Sequence, residues 1–180
     1  MYSKLIKTIQ QYTALDNNEV KLIKSKFKKV KIKKNEFLSD KIVTPKVLIF
    51  VNSGALHQIN LNNDSLNTLH LISTYKFAYA TPKELQAITD TSLLYITDTT
   101  LSDTFLTYTN LQNIFNKIIY QYMEDYIEEI NFLRSEHLPQ KIIYIKQRYS
   151  YILQFANDSI IASYLGVSRE TYSRNKKKFL

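Results

Sequence analysis

The sequence predicts an α+β chain: an antiparallel β module first, then one long helix, then a helix-turn-helix. Three observations predict it. Short apolar runs broken by turn residues fill the stretch from about Val30 to Thr97. From Leu111 to Leu133 apolar residues recur at i, i+3, i+4 and i+7. The last stretch, Ile161-Ala-Ser-Tyr-Leu-Gly166-Val-Ser-Arg-Glu-Thr-Tyr-Ser-Arg174, reads as a helix, a turn pivoting on glycine and a second helix.

The chain opens on two predicted helices, Tyr2–Tyr12 and Asn17–Phe27. Asp16 is placed to cap the second, whose apolar stripe is Val20, Ile23 and Phe27. Val30 and Ile32 alternate with lysines, as an edge strand guarded by charge does. Val47-Leu-Ile-Phe-Val51 is apolar throughout, which fits a strand buried on both faces. Asn52-Ser-Gly54 makes a turn, its glycine free to take positive φ, and Leu56–Leu61 is the return strand. Asn62-Asn-Asp-Ser65 is a further turn, and Leu66–Ile72 and Leu93–Thr97 are further strands. Thr81-Pro-Lys-Glu84 has the form of a capping box with proline at N1, which predicts a short helix over Pro82–Ile88. Several short strands with regular turns predict an antiparallel sandwich or barrel.

The long helix carries Leu111, Ile114, Phe115, Ile118, Ile119, Tyr122, Met123, Tyr126, Ile127, Ile130 and Leu133 in its stripe. This is wider than one contact surface needs. One edge is expected to pack on the sandwich and the other on the same helix of a second copy, with Ile118, Tyr122, Tyr126 and Ile130 at the interface. Glu128 and Glu129 are assigned to the helix's polar face. Pro139 is expected to mark a hinge before a helix over Gln140–Gln154.

In the terminal motif, Asn157 or Asp158 can cap a first helix ending at Leu165, and Gly166 stands where a left-handed C′ residue is needed. Ile161, Ala162 and Leu165 face inward, Val167 plugs the corner, and Ser168 caps a second helix running to about Lys178. Tyr172 points inward, with Phe179 a weaker candidate. Arg169, Glu170, Ser173 and Arg174 are left outside. Those outer residues suit base reading: arginine bonds guanine bidentately and glutamate accepts from the cytosine amino group. Ser168, Thr171 and Ser173 have short hydroxyls suited to phosphate, and Lys176, Lys177 and Lys178 add sequence-independent attraction.

The charge distribution agrees. The net charge of the 180 residues is +8. From Leu138 to Leu180 eight Lys/Arg stand against two acids, net +6; from Leu111 to His137 two stand against five, net −3. A second basic run, Lys21 to Lys34, holds eight lysines in fourteen residues. It reads first as a solvated helix face and edge strand, and second as another nucleic-acid or membrane contact. Several chemistries are excluded. Without cysteine there are no disulfides, thiolate zinc sites or cysteine nucleophile. With only Gly54 and Gly166 no glycine loop can cradle phosphates. His57, His70 and His137 form no metal-ligand spacing, and no serine sits in a nucleophile elbow. No cofactor and no enzymatic activity are expected. No apolar run reaches membrane-spanning length and no signal peptide is seen, so a cytoplasmic protein is expected.

The order of modules resembles the Crp/Fnr family of bacterial transcription regulators. The residues carrying the resemblance are Ile161 to Arg174, and more weakly Phe50-Val-Asn-Ser-Gly54, Ala87-Ile-Thr-Asp-Thr-Ser-Leu-Leu-Tyr-Ile96 and the pair Arg148-Tyr149. The resemblance implies a cyclic-nucleotide-binding-like jelly roll with flanking helices over residues 1–108. It implies a dimerisation helix over 109–137 and an all-α helix-turn-helix over 138–180. It also implies a homodimer on double-stranded DNA with an inverted-repeat operator, with RNA polymerase a further partner. By position, Arg169, Glu170 and Arg174 match the family's base contacts, and Ser168 and Thr171 its phosphate contacts.

Three departures are visible. Family members that bind cyclic nucleotide carry a Gly-Glu pair and an arginine where this chain has Tyr75-Lys-Phe-Ala-Tyr-Ala-Thr-Pro-Lys-Glu-Leu-Gln-Ala87. Cyclic AMP is therefore not the expected effector, and Glu84 is assigned to the capping box. Either an unidentified small molecule is sensed, with Phe77, Tyr79, Lys83 and Tyr122 as its candidate pocket, or the module has lost sensing and serves as a scaffold. The sequence ends at Leu180 without a following β wing, and the segment between Arg148-Tyr149 and Ile161 is short. Two rival readings stay open: a sensing or interaction module with a degenerate DNA reader, and a non-specific nucleic-acid binder driven by lysines.

Overall fold

The computed structural model describes residues 2–61 and 67–179. Two helices come first, α1 (Tyr2–Ile9) and α2 (Asn17–Lys26). Asp16 caps α2: its carboxylate accepts from the Glu19 amide at 2.8 Å, while Glu19 accepts from the Asp16 amide at 2.9 Å. Seven strands follow: β1 (Lys28–Ile32), β2 (Val47–Ser53), β3 (Leu56–Asn60), β4 (Asn67–Ile72), β5 (Phe77–Ala80), β6 (Leu85–Ala87) and β7 (Thr91–Thr97). They form two antiparallel sheets, ordered β1-β7-β2-β5 and β4-β3-β6. The lysine-bearing β1 is an edge strand. The turn expected at residues 62–65 lies outside the described residues.

The continuous apolar run of β2 is explained by its place. Leu48 and Phe50 point to one side, into a core shared with Leu5 and Ile9 of α1 and Ile23 of α2. Val47, Ile49 and Val51 point to the other, into the space between the sheets with Leu56, Ile72 and Leu85. Gly54 ends the strand at φ +91, and a Cβ there would stand 2.4 Å from Thr91 Oγ1. Glycine is required at this corner both for its backbone and for the close approach.

Two expectations about local structure are corrected. The helix expected over Pro82–Ile88 is only a 3₁₀ turn at Pro82–Glu84, followed by β6. Thr81 makes no side-chain cap, and Glu84 accepts instead from Gln58 Nε2 at 3.3 Å. The alternation of buried Leu85, half-buried Gln86 and buried Ala87 is a strand period, and pairing with β3 outweighs the local start signal. The helix expected over Gln140–Gln154 is two: α5 (Leu138–Arg148) and α6 (Ser150–Phe155), broken at Tyr149. Pro139 sits inside the first turn of α5, where a missing N–H costs nothing, rather than at a hinge.

After the sheets come α3 (Asp98–Thr107) and the 27-residue α4 (Thr109–Ser135). The N-terminal half of α4 buries Leu111, Ile114, Phe115 and Ile118 against the outer face of the larger sheet. The last two helices are α7 (Asp158–Leu165) and α8 (Arg169–Phe179). A third core joins these terminal helices to the sandwich: Ala55, Leu71 and Ile88 pack with Ile142, Ile145, Ile152, Ile161 and Leu165. Among the described residues no helix is long and apolar enough to cross a membrane.

Candidate nucleic-acid interface

The geometry of α7 and α8 follows from their caps. Asn157 Oδ1 accepts from the Ile160 amide at 2.9 Å and starts α7. Gly166 ends it in the left-handed region at φ 70. Its amide donates to the Ser163 carbonyl at 3.1 Å and the Val167 amide to that of Ala162 at 3.0 Å, the paired bonds of a Schellman turn. Ser168 Oγ accepts from the Thr171 amide at 3.1 Å and starts α8. Tyr172 is 1% exposed and anchors α8 inward.

The face of α8 opposite Tyr172 is open. Arg169, Glu170 and Arg174 are exposed and make no ion pair among the described residues. Ser168 is exposed, but its hydroxyl is used locally, accepting the cap bond and donating to Thr171 Oγ1 at 2.9 Å. Thr171 and Ser173 are half-buried; Lys177 and Lys178 are exposed. Lys176 differs from its neighbours: its Nζ lies 2.8 Å from Asp158 Oδ1, tying α8 back to the start of α7. Of the three lysines expected to attract phosphate, Lys176 is thus engaged within the chain.

The unit is held on the rest of the chain by a buried carboxylate. Glu129 of α4 is 3% exposed, so its assignment to a polar face is corrected. Oε1 accepts from His70 Nδ1 of β4 at 3.2 Å and from the Tyr164 hydroxyl of α7. Oε2 accepts from Tyr149 at 2.7 Å and Tyr144 at 3.2 Å, and Arg148 Nε lies 3.3 Å away. Burial alone would raise the acid's pKa; the bonds from His70, Tyr164 and Tyr149 outweigh it and hold it at about 2. The same burial and the adjacent carboxylate push the Tyr144, Tyr149 and Tyr164 hydroxyls up, so all three remain donors. One residue of α4 thus joins a strand, α5 with its cap, and α7. A further bond, Thr68 amide to Ser163 Oγ at 2.8 Å, fastens α7 to β4. Sequence reasoning missed this cluster. Only the inward position of Glu129 had a signal: it falls seven residues after Tyr122 and fourteen after Phe115, in register with the inward stripe.

The other predicted groups divide. Phe77 and Tyr122 line one cavity with His70, Lys76 and Arg148. Tyr79 and Lys83 do not line it. Tyr79 donates to Asp98 Oδ1 at 2.5 Å, its pKa pushed to about 12 by burial and that carboxylate, and Lys83 stands exposed on the 3₁₀ turn. Of the expected interface on α4, Ile118 is 1% exposed and belongs to the chain's own core. Tyr122 is turned inward against His70, and Tyr126 and Ile130 are half-buried. The open apolar edge consists instead of Tyr120 at 69%, Met123 at 50% and Ile127 at 53% exposure, beside Asn116 and Ile119. This open edge lies about 100° round the helix, one residue along, from the residues expected at an interface.

No family model matches the chain, and no curated protein matches it significantly. Solved structures do. A Crp/Fnr-family transcriptional regulator from Eubacterium rectale superposes with a TM-score of 0.69 at 18% identity, covering 92% of this chain and 83% of its own. FixK2 from Bradyrhizobium japonicum gives 0.67 at 13% identity, over 84% and 83%. A doubly substituted CooA from Carboxydothermus hydrogenoformans gives 0.63 at 18%, over 87% and 78%. The chain thus shares the fold of these solved structures.

Proposed function

We propose that the protein is a sequence-specific, DNA-binding transcription regulator that acts as a homodimer. The observation that carries this reading is the face of α8: Arg169, Glu170 and Arg174 exposed and unpaired by other described residues, on a helix whose opposite side is anchored by Tyr172. Arg169 and Arg174 read guanines and Glu170 a cytosine, while Ser168, Thr171, Ser173, Lys177 and Lys178 meet phosphates. Lys176 contributes chiefly to positioning α8 through Asp158. Residues 1–108 form the sensing or scaffolding unit, 109–137 the dimerisation helix and 138–180 the DNA reader. Tyr120, Met123 and Ile127 of two copies form the seam between long helices, at i, i+3 and i+7. A two-fold pair sets two recognition helices about 34 Å apart, one turn of the duplex. A small-molecule effector, rather than cyclic AMP, acts by binding one arrangement better than another. The chain works in the cytoplasm, with RNA polymerase as the partner that such regulation requires.

Selection of binding sites from a random duplex library, at about 150 mM salt, tests this reading. The expected product is an inverted repeat. Arg169→Ala and Arg174→Ala are each expected to weaken binding to it by about 1–3 kcal/mol and to relax one base position. Equal loss on selected and random DNA would mean that the arginines only attract phosphate. No enriched motif, with or without cell extract, would favour a degenerate reader.

A further inference from the structure

A cavity of about 150 Å³ lies where three parts of the molecule meet. The end of β4 and the turn after it bring His70 and Lys76, β5 brings Phe77, α4 brings Tyr122 and Asp125, and the end of α5 brings Arg148 and Tyr149. A space of that size takes one benzene ring. Phe77, Tyr122 and Tyr149 supply aromatic walls. Lys76 and Arg148 bring two positive charges, offset by Asp125 in the lining and by Glu129 against Arg148, so a ligand carboxylate is held by taking over the Arg148 contact from Glu129.

The cavity also touches the clasp on Glu129. Of the five side chains around that carboxylate, His70, Arg148 and Tyr149 are cavity walls. Arg148 meets Glu129 through Nε, and its side chain is 40% exposed. A guanidinium has five N–H donors in a fixed fork, so Arg148 has donors for a second acceptor. A carboxylate entering the cavity competes with Glu129 for the same group.

We propose that this cavity binds a small aromatic monocarboxylate through Lys76 and Arg148, and that occupancy acts on the terminal helices by drawing Arg148 from Glu129. The binding half stands on the cavity alone; the regulatory half rests on the assignment of α8 as the DNA reader.

Calorimetric titration of benzoate into the full chain, without DNA, tests the site. The expected result is saturable binding, one per chain, with Kd on the order of 1 mM or tighter for so small a ligand. Lys76→Met, a change at an exposed position, is expected to weaken binding by about fivefold or more, the loss of one charge-assisted contact. Lys83→Met, outside the cavity, leaves it unchanged. Benzylamine, with the same ring and the opposite charge, does not bind. No saturation by about 20 mM benzoate overturns the site, since binding that weak is below what a fitted ring and an ion pair give. Equal affinity in Lys76→Met, or benzylamine binding as well as benzoate, overturns it too. For the regulatory half, benzoate and the selected operator must change each other's affinity by one factor. Operator affinity unmoved by saturating benzoate overturns the coupling. Failure to select any operator strikes the DNA reading instead, and the calorimetry still decides the site.

Discussion

Replacing Glu129 by Gln tests whether the buried carboxylate holds the terminal helices. Glutamine has the shape of the protonated acid and removes the charge alone. Two routes give the magnitude. Depression of the carboxyl from 4.5 to about 2 corresponds to about 3 kcal/mol, at about 1.36 kcal/mol per pH unit. Breaking one partner of a buried charged pair costs about 3–5 kcal/mol, because the remaining group is left buried without its counter-charge. In Glu129→Gln that group is Arg148, which is 40% exposed and so partly solvated, while the tyrosine hydroxyls can rotate, which puts the loss at the lower end of that range. A loss of about 3 kcal/mol at pH 7 is expected, or a melting point lower by about 6–12 °C for a chain of this size. Urea unfolding followed by circular dichroism measures it. The pH dependence supplies a second check. A carboxyl whose pKa is depressed by folding stabilises the native state above its unfolded value, and that contribution disappears as pH falls through the folded value. The wild-type advantage is therefore whole above pH 4.5 and lost near pH 2. The two proteins' stabilities should converge across that window. A difference below about 1 kcal/mol at pH 7, the worth of an ordinary neutral hydrogen bond, would refute the reasoning. So would a difference that persists unchanged at pH 2.

Other perturbations follow from the same geometry. Gly166→Ala meets nothing within 4 Å and costs only the left-handed backbone, about 1 kcal/mol. Gly54→Ala adds a Cβ 2.4 Å from Thr91 Oγ1 and 2.6 Å from the Asp90 carbonyl, so thermal melts should show at least twice that loss, about 2–3 kcal/mol. Ile127→Glu places a charge on the open edge of α4; sedimentation should show monomer, with an unchanged circular dichroism spectrum, and a persisting dimer would remove this edge from the interface. Lys177→Ala should reduce the slope of log affinity on log salt by about 1, and Lys176→Ala by less, because Lys176 is already paired with Asp158.

What was legible in the sequence was local. The α7–α8 turn could be read because Asn157, Gly166 and Ser168 each specify one backbone event, and the apolar positions between them agree. The β2 strand could be read because a run buried on both faces needs no partner to be recognised. Where local and long-range signals conflicted, the local one misled. Thr81-Pro-Lys-Glu84 carries the residues of a helix start, yet from the next residue, Leu85, the chain pairs with β3. The break at Tyr149 had no sequence mark, since neither glycine nor proline stands there. At the break the Tyr149 hydroxyl reaches Glu129, twenty residues away. The cluster itself was out of reach for the same reason: its donors come from β4, α5 and α7, and no spacing along the chain brings them together.

The choice of a polar clasp at this junction has a mechanical consequence. The terminal helices are also held by an apolar core, where Leu71 and Ile88 meet Ile142, Ile145 and Leu165. That contact resists separation but discriminates weakly between small rotations, because apolar burial depends on area and not on direction. The Glu129 bonds are directional, and a rotation of α5 or α7 breaks several together. Position is thus set by the carboxylate and adhesion by the core. Tyr164→Phe separates the two. It leaves Ile161 and Leu165 packed and removes the one hydroxyl by which α7 reaches Glu129. Stability should fall by about 1–2 kcal/mol, the worth of a hydrogen bond to a charged group. Amide exchange should rise selectively in α7 and α8, as these helices open apart from the sandwich. Uniform faster exchange across β2, β7 and α7 would instead show the terminal helices and the sandwich opening as one unit, and the division of labour between clasp and core would fall.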